Sequence, residues 1–321
     1  MLEFDLIGRL KEIIDVPVTL GACPLGIGDD AALLDIPSDK QLVICCDTLV
    51  AGVHFPEYSG ADSIGYKSLA VNLSDLAAMG ADPAWFLLAL TLPGGDREWV
   101  EAFAGGIGRL AREAGIALVG GDTTSGQLSI TVTAAGLVDP GMALKRSGAK
   151  PGDHVLVSGV TGLASQALQH MQAGHDPEPA GRRALEYPQP RLALGSSLRG
   201  LATACIDISD GLAADLGHIL KRSGVGAVLD LEALPLAPSL VSLPENERWK
   251  LQLAGGDDYE LCFTVPPTKV EEVLGMAKDL GIAISDIGNI TADPGLDLQR
   301  PGGGRFEIDG FGFRHFSERS E

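Results

Sequence analysis

The sequence predicts an α/β protein of two domains, and three observations lead to this prediction. The chain has 321 residues, which is more than one hydrophobic core usually organises. Hydrophobic residues make up 45% of it and 42 residues are glycine, which indicates filled interiors linked by tight turns. Strand-like and helix-like apolar runs alternate in both halves of the chain.

In the first half, the apolar run at 41–50 predicts a buried strand that ends at Asp47. Helical spacing with a glycine stop predicts a helix over 61–81, and a second helix is expected over 96–115. The other strands predicted in this half are 85–93, 116–122 and 127–138.

Glycine, proline and charged residues in "LKRSGAKPGD" mark a domain boundary near Lys150–Pro151. We therefore predict a first domain over 1–150 and a second α/β domain over 151–321. The second half is expected to repeat the plan of strands, helices and Gly-Asp turns. Its main predicted elements are strands at 154–159, 203–207 and 259–265 and helices at 162–174, 189–202, 210–224 and 268–281.

Charge and composition exclude several classes of protein. The net charge is −19 with only 24 Lys and Arg residues, so nucleic acid is not an expected partner. No apolar run approaches the roughly 20 residues that span a bilayer, and the acidic start is unlike a signal peptide. The five cysteines lack zinc-type spacing, so we expect reduced thiols, no membrane and a cytoplasmic protein.

Four short segments combine glycine with aspartate, and this repetition needs a common explanation. In open α/β folds ligands bind beyond the ends of strands, so the carboxylates are expected to converge on one cleft. Mg²⁺ prefers oxygen ligands and bridges carboxylates to phosphates, which would let an acidic chain bind a nucleotide. The segments are "GIGDDAALL" (26–34), "VGGDTTSG" (119–126), "DISDGLAADL" (207–216) and "AGGDDYEL" (254–261).

The familiar nucleotide-binding motifs are missing. "GADSIGYKS" (60–68) is one residue too long for a Walker loop and falls within a predicted helix. "GIGRLA" (106–111) also falls within a helix, and no protein-kinase signature is present. The number of aspartates suggests several ions between two phosphorylated ligands, where alignment and charge neutralisation drive phosphoryl transfer.

Eight motifs follow one another along about residues 3–316. They are "EFDLIGRL", "GIGDDAAL", "DTLVAGVHF", "KSLAVNLSDLAAMGA", "VGGDTT", "RSGAKPGD", "DISDGLAADL" and "GGDDYEL". In this order they strongly resemble the thiamine-monophosphate kinase family, which belongs to the superfamily of aminoimidazole ribonucleotide synthetase and selenophosphate synthetase. The resemblance implies a two-domain α/β fold with mixed sheets, whose N-terminal sheets pair in a dimer barrel.

The resemblance also implies transfer of the γ-phosphoryl group of ATP to thiamine phosphate, on several Mg²⁺ ions, in a homodimer whose first domain binds ATP and Mg²⁺. No catalytic acid, base or nucleophile is assigned, since the accepting phosphate oxygen is already anionic. The implied ATP contacts are Gly121, Asp122, Arg146 and Ser209, and the implied substrate contacts are His54, Glu260 and Phe313. The implied metal ligands are Asp30, Cys46, Asp47, Asp75, Asp122, Asp207 and Asp210.

Structural interpretations remain open for His54, Phe313 and Arg146, which could pack or cap rather than bind. Thiols are poor Mg²⁺ ligands, so Cys45 and Cys46 would have to use backbone carbonyls. Three other functions also remain: a sister enzyme of the superfamily, a protein that only binds nucleotide and metal, and a phosphate-ester hydrolase.

Overall fold

The computed structural model describes residues 3–308, 310 and 312, and the predicted α/β class with mixed sheets is confirmed. The chain divides into two compact units between Ala143 and Leu144, seven residues before the predicted boundary at 150. No helix in the described part of the chain has both the length and the apolar character needed to cross a membrane.

From residue 3 onward, the first unit contains three helices and six strands. A four-stranded sheet in the order β3-β6-β4-β5 forms its centre, and β1 and β2 form a small hairpin. The helices are α1 (Glu3–Ile13), α2 (Ala61–Ala78) and α3 (Arg97–Ala114). The strands are β1 (Ala22–Leu25), β2 (Leu33–Asp35), β3 (Gln41–Val50), β4 (Asp82–Leu92), β5 (Ala117–Ser125) and β6 (Ser129–Val138).

Helix α2 is buried nearly all round, because it packs against β3 and β6 on one side and α3 on the other. Two glycines allow the close approach of α2 and α3. A Cβ atom on Gly65 would lie 2.1 Å from the Phe103 carbonyl oxygen, and one on Gly106 would lie 1.9 Å from the Asp62 carbonyl oxygen. The helices therefore cover one face of the sheet, and the hairpin segment covers the Trp85 end of the other face.

Two predicted strand ends are wrong. Strand β3 does not end at Asp47 but pairs with β6 as far as the Val50–Ser129 pair. Strand β5 does not end at Asp122 but pairs with β4 as far as Ser125. In both cases the neighbouring strand, β6 or β4, is long enough to continue the hydrogen-bonded pairing beyond the aspartate. The Asp47 and Asp122 side chains therefore lie on the faces of the sheet and not at the ends of its strands.

The second unit is built on a six-stranded sheet in the order β12-β9-β11-β7-β10-β8, in which only β9 and β12 are parallel. Its strands are β7 (His154–Ser158), β8 (Ala204–Asp207), β9 (Gly226–Asp230), β10 (Leu261–Val265), β11 (Ile284–Thr291) and β12 (Gly295–Gln299). Its helices are α4 (Leu163–Gln172), α5 (Pro179–Glu186), α6 (Leu192–Ser197), α7 (Leu212–Ser223), α8 (Pro238–Val241), α9 (Glu245–Ala254) and α10 (Val270–Asp279).

The core of the second unit lies between the sheet and α7 and α9, with Leu212, Leu216 and Trp249 among its buried residues. The predicted helix over 189–202 is much shorter in the structure, where α6 covers only Leu192–Ser197. Arg191 is the N-cap of α6 with φ −87° and ψ 46°, so the helix begins only after it. This break presents the Arg191 side chain at the start of α6.

Candidate functional site

The Asp47 and Asp75 side chains, from β3 and α2, are hydrogen-bonded to each other. Burial raises the pKa of Asp47 above its ordinary value, although the hydrogen bond with Asp75 and the nearby His54 oppose this. Asn72, one turn before Asp75, accepts the backbone N–H of Asp47 on its Oδ1 at 3.1 Å. Two carboxylates in contact must share a proton or a cation, so this pair is a candidate metal site.

His54 lies in the turn after β3, close to this pair. Its Nδ1 accepts the backbone N–H of Val50 at 3.0 Å, so the neutral ring carries its proton on Nε2. The buried Lys67 of α2 reaches the His54 carbonyl oxygen with its ammonium group at 3.5 Å. His54 therefore has a fixed orientation beside the Asp47–Asp75 pair.

The two cysteines before Asp47 point to opposite faces of the sheet. The Cys45 thiol donates to the Asn72 carbonyl oxygen at 3.3 Å, on the α2 side. The Cys46 thiol is exposed on the open side, where Thr133 donates to its sulfur at 3.3 Å. The Cys46 thiol therefore cannot join a metal held by Asp47 within the same unit, and only its backbone carbonyl remains as a ligand.

Asp122 is not brought together with Asp47 in this unit. The β3 and β5 strands are opposite edges of the sheet, three strand spacings or roughly 14 Å apart. The register also places the Asp47 and Asp122 carboxylates on different faces of the sheet. Asp122 pairs with Ala89, and this pairing continues across the sheet through Thr131 to Thr48, the neighbour of Asp47. Because successive strand residues point to opposite faces, Asp122 shares the face of Thr48 and not that of Asp47. Gly121 beside it has a structural role, since a Cβ there would lie 1.9 Å from the Leu88 carbonyl oxygen.

Asp29 and Asp30 play different parts in the loop after β1. The Asp29 carboxylate accepts the backbone N–H of Asp30 at 2.9 Å and so stabilises the turn. Asp30 is exposed. Of the pair, Asp30 is thus the carboxylate available to a cation.

In the second unit, the turn from Asp207 to Asp210 is held by a residue that the sequence analysis did not single out. One oxygen of the buried Asp215 carboxylate accepts the backbone N–H groups of Ser209, Asp210 and Gly211 at 3.0 to 3.1 Å. Burial and the neighbouring Asp207 and Asp210 raise the pKa of Asp215 to about 7. A cation bound by Asp207 and Asp210 would reduce this repulsion.

The segment "GGDDYEL" lies directly against this turn. The Asp257 N–H donates to the Ser209 carbonyl oxygen at 2.9 Å, and Tyr259 N–H donates to the Ile208 carbonyl oxygen at 2.8 Å. Asp257 and Tyr259 have φ values of 69° and 50°, which are costly for residues with side chains. Backbone strain of this kind is common where a segment holds a functional group in place.

The same segment ends at Glu260, whose buried carboxylate forms a two-point ion pair with Arg191. The Arg191 Nε to Glu260 Oε2 distance is 2.6 Å, and Ser158 Oγ donates to Oε2 at 2.5 Å. Burial disfavours the Arg191 charge, but its hydrogen bonds with Glu260 prevail and raise the pKa of the guanidinium. Neither Arg191 nor Ser158 carries a local sequence signal, because their partner is distant in sequence.

Of the other predicted residues, Arg146 is exposed and its segment is anchored to β8, where the Cys205 N–H donates to the Lys145 carbonyl oxygen at 2.8 Å. Phe313 lies outside the described residues. Within the described residues, no three His, Cys, Asp or Glu side chains converge as a ready-made metal site. Asp47 and Asp75 contact each other, and Asp207 and Asp210 are both close enough to Asp215 to raise its pKa.

The sequence matches AIR synthase related protein, N-terminal domain, over residues 28–138 and AIR synthase related protein, C-terminal domain, over residues 150–300. It is 47% identical to thiamine-monophosphate kinase from Escherichia coli K12 over 326 residues, which covers 98% of each chain. The crystal structure of thiamine-monophosphate kinase from Stenotrophomonas maltophilia K279a is similar with a TM-score of 0.85 and 45% identity, covering 93% of this chain and 96% of that one. The structure of AaThiL complexed with AMPPCP and TMP is similar with a TM-score of 0.77 and 30% identity, covering 98% and 97%.

Proposed function

The chain belongs to the thiamine-monophosphate kinase family of AIR synthase related proteins, and we propose that it transfers the γ-phosphoryl group of ATP directly, in line, to thiamine monophosphate on several Mg²⁺ ions. It is a phosphotransferase whose acceptor is a phosphate group. The observation that supports a metal-dependent transfer best is the contact between the Asp47 and Asp75 carboxylates.

The reaction needs no protein nucleophile. An oxygen of the thiamine monophosphate phosphate attacks the γ-phosphorus, a new P–O bond forms, the bond to the β-phosphate oxygen breaks, and ADP leaves. The attacking oxygen is already anionic near neutral pH, so no side chain has to remove a proton. Alignment of the two phosphates and neutralisation of their charge are what the protein must provide.

The donor set fits Mg²⁺, which is commonly held by one or two carboxylates while waters and substrate phosphates complete its coordination. Paired carboxylates are thus sufficient without a cluster of three. We propose that Asp47 and Asp75 hold Mg²⁺ in the first unit and that Asp207 and Asp210 do so in the second. When bound, the ions offset the charge of the phosphates and of the carboxylates themselves.

For the remaining predicted contacts, the geometry supports some roles better than others. His54, which lies near Asp47, is proposed to contact the substrate, and Ser209 and Arg146 are proposed to contact ATP. Asp30 and Asp122 are exposed carboxylates that can hold further cations. Cys46 can contribute only a backbone carbonyl to the Asp47 site, for the reason given above.

We also propose a homodimer that forms through the open face of the four-stranded sheet. Ile44 is 60% exposed and Leu87 41% exposed on this face, beside Cys46, Thr133 and Ala89. An apolar sheet face left open to water favours a second layer, and a second copy of the same sheet supplies one. Strands β3 and β5 are the two edges of the sheet, so each has one side along which a strand of the second copy can pair to close a barrel.

The experiment that tests the function measures ADP release by the purified protein with ATP and Mg²⁺, with and without thiamine monophosphate, together with product analysis. ADP matched one to one by thiamine diphosphate, and abolished by a chelator, is the expected result. ADP formed without acceptor would indicate hydrolysis. Tight ATP binding without turnover would favour a sister activity or a protein that only binds, and either result would overturn the proposal.

A further inference from the structure

The protein itself fills three of the roughly four acceptor positions of the Glu260 carboxylate. Its Oε2 accepts from Arg191 Nε and from Ser158 Oγ, and its Oε1 accepts from Arg191 Nη2. The residue is 7% exposed, and a Cβ on Gly159 would lie 1.9 Å from Oε1, so the chain closes around the carboxylate on that side as well. Glu260 is therefore a neutralised group, poorly suited to meet a thiazolium cation with its own charge.

The Arg191 guanidinium, in contrast, is only partly used. It has five N–H donors, of which the pair with Glu260 takes those on Nε and one on Nη2. Among the described residues no acceptor faces Nη1, and 24% of the side chain is exposed. The edge that remains presents N–H donors and a positive charge, which is the arrangement that binds phosphate oxygens well.

The position of the pair connects it to the second carboxylate group. The Glu260 carbonyl oxygen accepts the backbone N–H of Ile208 at 2.8 Å, so Glu260 lies one residue from Asp207 in the neighbouring strand. A phosphate approaching Asp207 and Asp210 meets two negative charges. Arg191, through its pair with Glu260, brings a positive charge to the segment that lies against this turn, and this charge does not depend on a bound cation.

We propose that Arg191 binds the phosphate group of thiamine monophosphate, with Glu260 as the residue that positions its guanidinium. This inference rests on the proposed function, because it assigns the acceptor phosphate of the same reaction. It changes the expected role of Glu260, which acts through Arg191 rather than by contacting the thiazolium ring. It also identifies Arg191 as the residue that makes the protein prefer thiamine monophosphate over unphosphorylated thiamine.

The test compares binding of thiamine monophosphate and thiamine by calorimetry, in Mg²⁺ and without ATP, for wild type and Arg191→Gln. We expect Arg191→Gln to weaken thiamine monophosphate about 10- to 100-fold while thiamine binding and the KM for ATP stay unchanged. Glu260→Gln should lower the same preference by a smaller factor, because the guanidinium loses its orientation. Arg182→Gln, which removes a half-buried arginine paired with Glu186 and Asp176, is the control and should change nothing.

Arg191→Gln leaves the buried Glu260 unpaired and can fail to fold for that reason. The double variant Arg191→Gln with Glu260→Gln removes both charges and should show the same loss of preference. Equal weakening of both ligands, or unchanged preference in the folded double variant, would overturn the inference. If the wild-type protein forms no thiamine diphosphate, the proposed function is wrong, but the inference about Arg191 can still be tested. The ³¹P NMR shift of bound thiamine monophosphate, compared between wild type and Arg191→Gln, then decides whether Arg191 contacts the phosphate.

Discussion

The Asp47 carboxylate, on a sheet face, is hydrogen-bonded to the Asp75 carboxylate of the helix that covers that face. Burial raises the pKa of Asp47, so the charged carboxylate is disfavoured at this position when no metal is bound. Without a bound cation, the Asp47–Asp75 pair lowers the free energy of unfolding. The arrangement that suits it to bind a metal therefore makes the metal-free protein less stable.

Asp47→Asn and Asp75→Asn should each lower kcat/KM by about 100-fold or more, because each removes charge from a Mg²⁺ site. Each should also raise the melting temperature of the metal-free protein by about 2 °C or more, because a buried repulsion is relieved. Steady-state kinetics and calorimetry with and without Mg²⁺ measure the two effects.

Asp39→Asn is the control for this pair, since Asp39 is an exposed aspartate of the same unit. It should change neither quantity. A metal-free melting temperature that falls in both Asp47→Asn and Asp75→Asn would show that the carboxylates stabilise the fold and would contradict the metal-site interpretation.

The glycine at position 121 sets the distance between two strands. A Cβ there would lie 1.9 Å from the Leu88 carbonyl oxygen, whereas a Cβ on Gly295 would meet nothing within 4 Å. Both residues have a large positive φ, 155° and 130°, so Gly295→Ala is the control for backbone strain. Gly121→Ala should cost at least about 2 kcal/mol more than Gly295→Ala, measured by urea unfolding. Equal costs would mean that β5 can move away from β4 without loss.

Asp75 and Asp122 show how much of this site the sequence predicts. Helical spacing places Asn72 and Asp75 on one face of α2, and the structure brings both to Asp47. Strand spacing fails for Asp122, because a bulge between Phe86 and Leu87 shifts the β4–β5 register by one residue. That shift turns Asp122 to the opposite face, and nothing local in the sequence reports it.

The Arg191–Glu260 pair shows a second limit. The residues are 69 positions apart, and β10 and the start of α6 bring them together only in the folded unit. Asp215 is a different case, because a sequence signal was present: an aspartate in the first turn of a helix is suited to accept exposed backbone N–H groups. The fold class and the acidic turns are thus predictable from composition and spacing. In contrast, the sheet face on which a residue lies and the contacts between residues distant in sequence depend on the register of the strands.

The open sheet face should decide the oligomeric state. Ile44→Glu and Leu87→Glu each place a charge in the proposed dimer interface and should convert the dimer to monomer in sedimentation velocity. Val241, which is 59% exposed in the second unit, provides the control variant Val241→Glu, and this should leave the dimer intact. A wild-type monomer, or a dimer that survives both substitutions, would refute this interface.

The Asp215 carboxylate should be essential to the Asp207–Asp210 turn, because it accepts three backbone N–H groups. Asp215→Ala leaves these donors without that acceptor and should cost about 3 kcal/mol, whereas Asp215→Asn keeps an acceptor and should cost about 1 kcal/mol. Hydrogen exchange should quicken at the amides of Ser209, Asp210 and Gly211 in Asp215→Ala, and the affinity for Mg²⁺ should fall with it.

Asp279→Ala is the matched control, since Asp279 is an exposed helical aspartate of the same unit and should alter neither exchange nor affinity. If Asp215→Ala speeds amide exchange but leaves Mg²⁺ affinity unchanged, the turn does not hold a cation. The assignment of Asp207 and Asp210 as ligands would then be wrong, even though the structural role of Asp215 would stand. If the affinity falls in Asp215→Ala and is restored in Asp215→Asn, turn geometry rather than the Asp215 charge is what the cation requires.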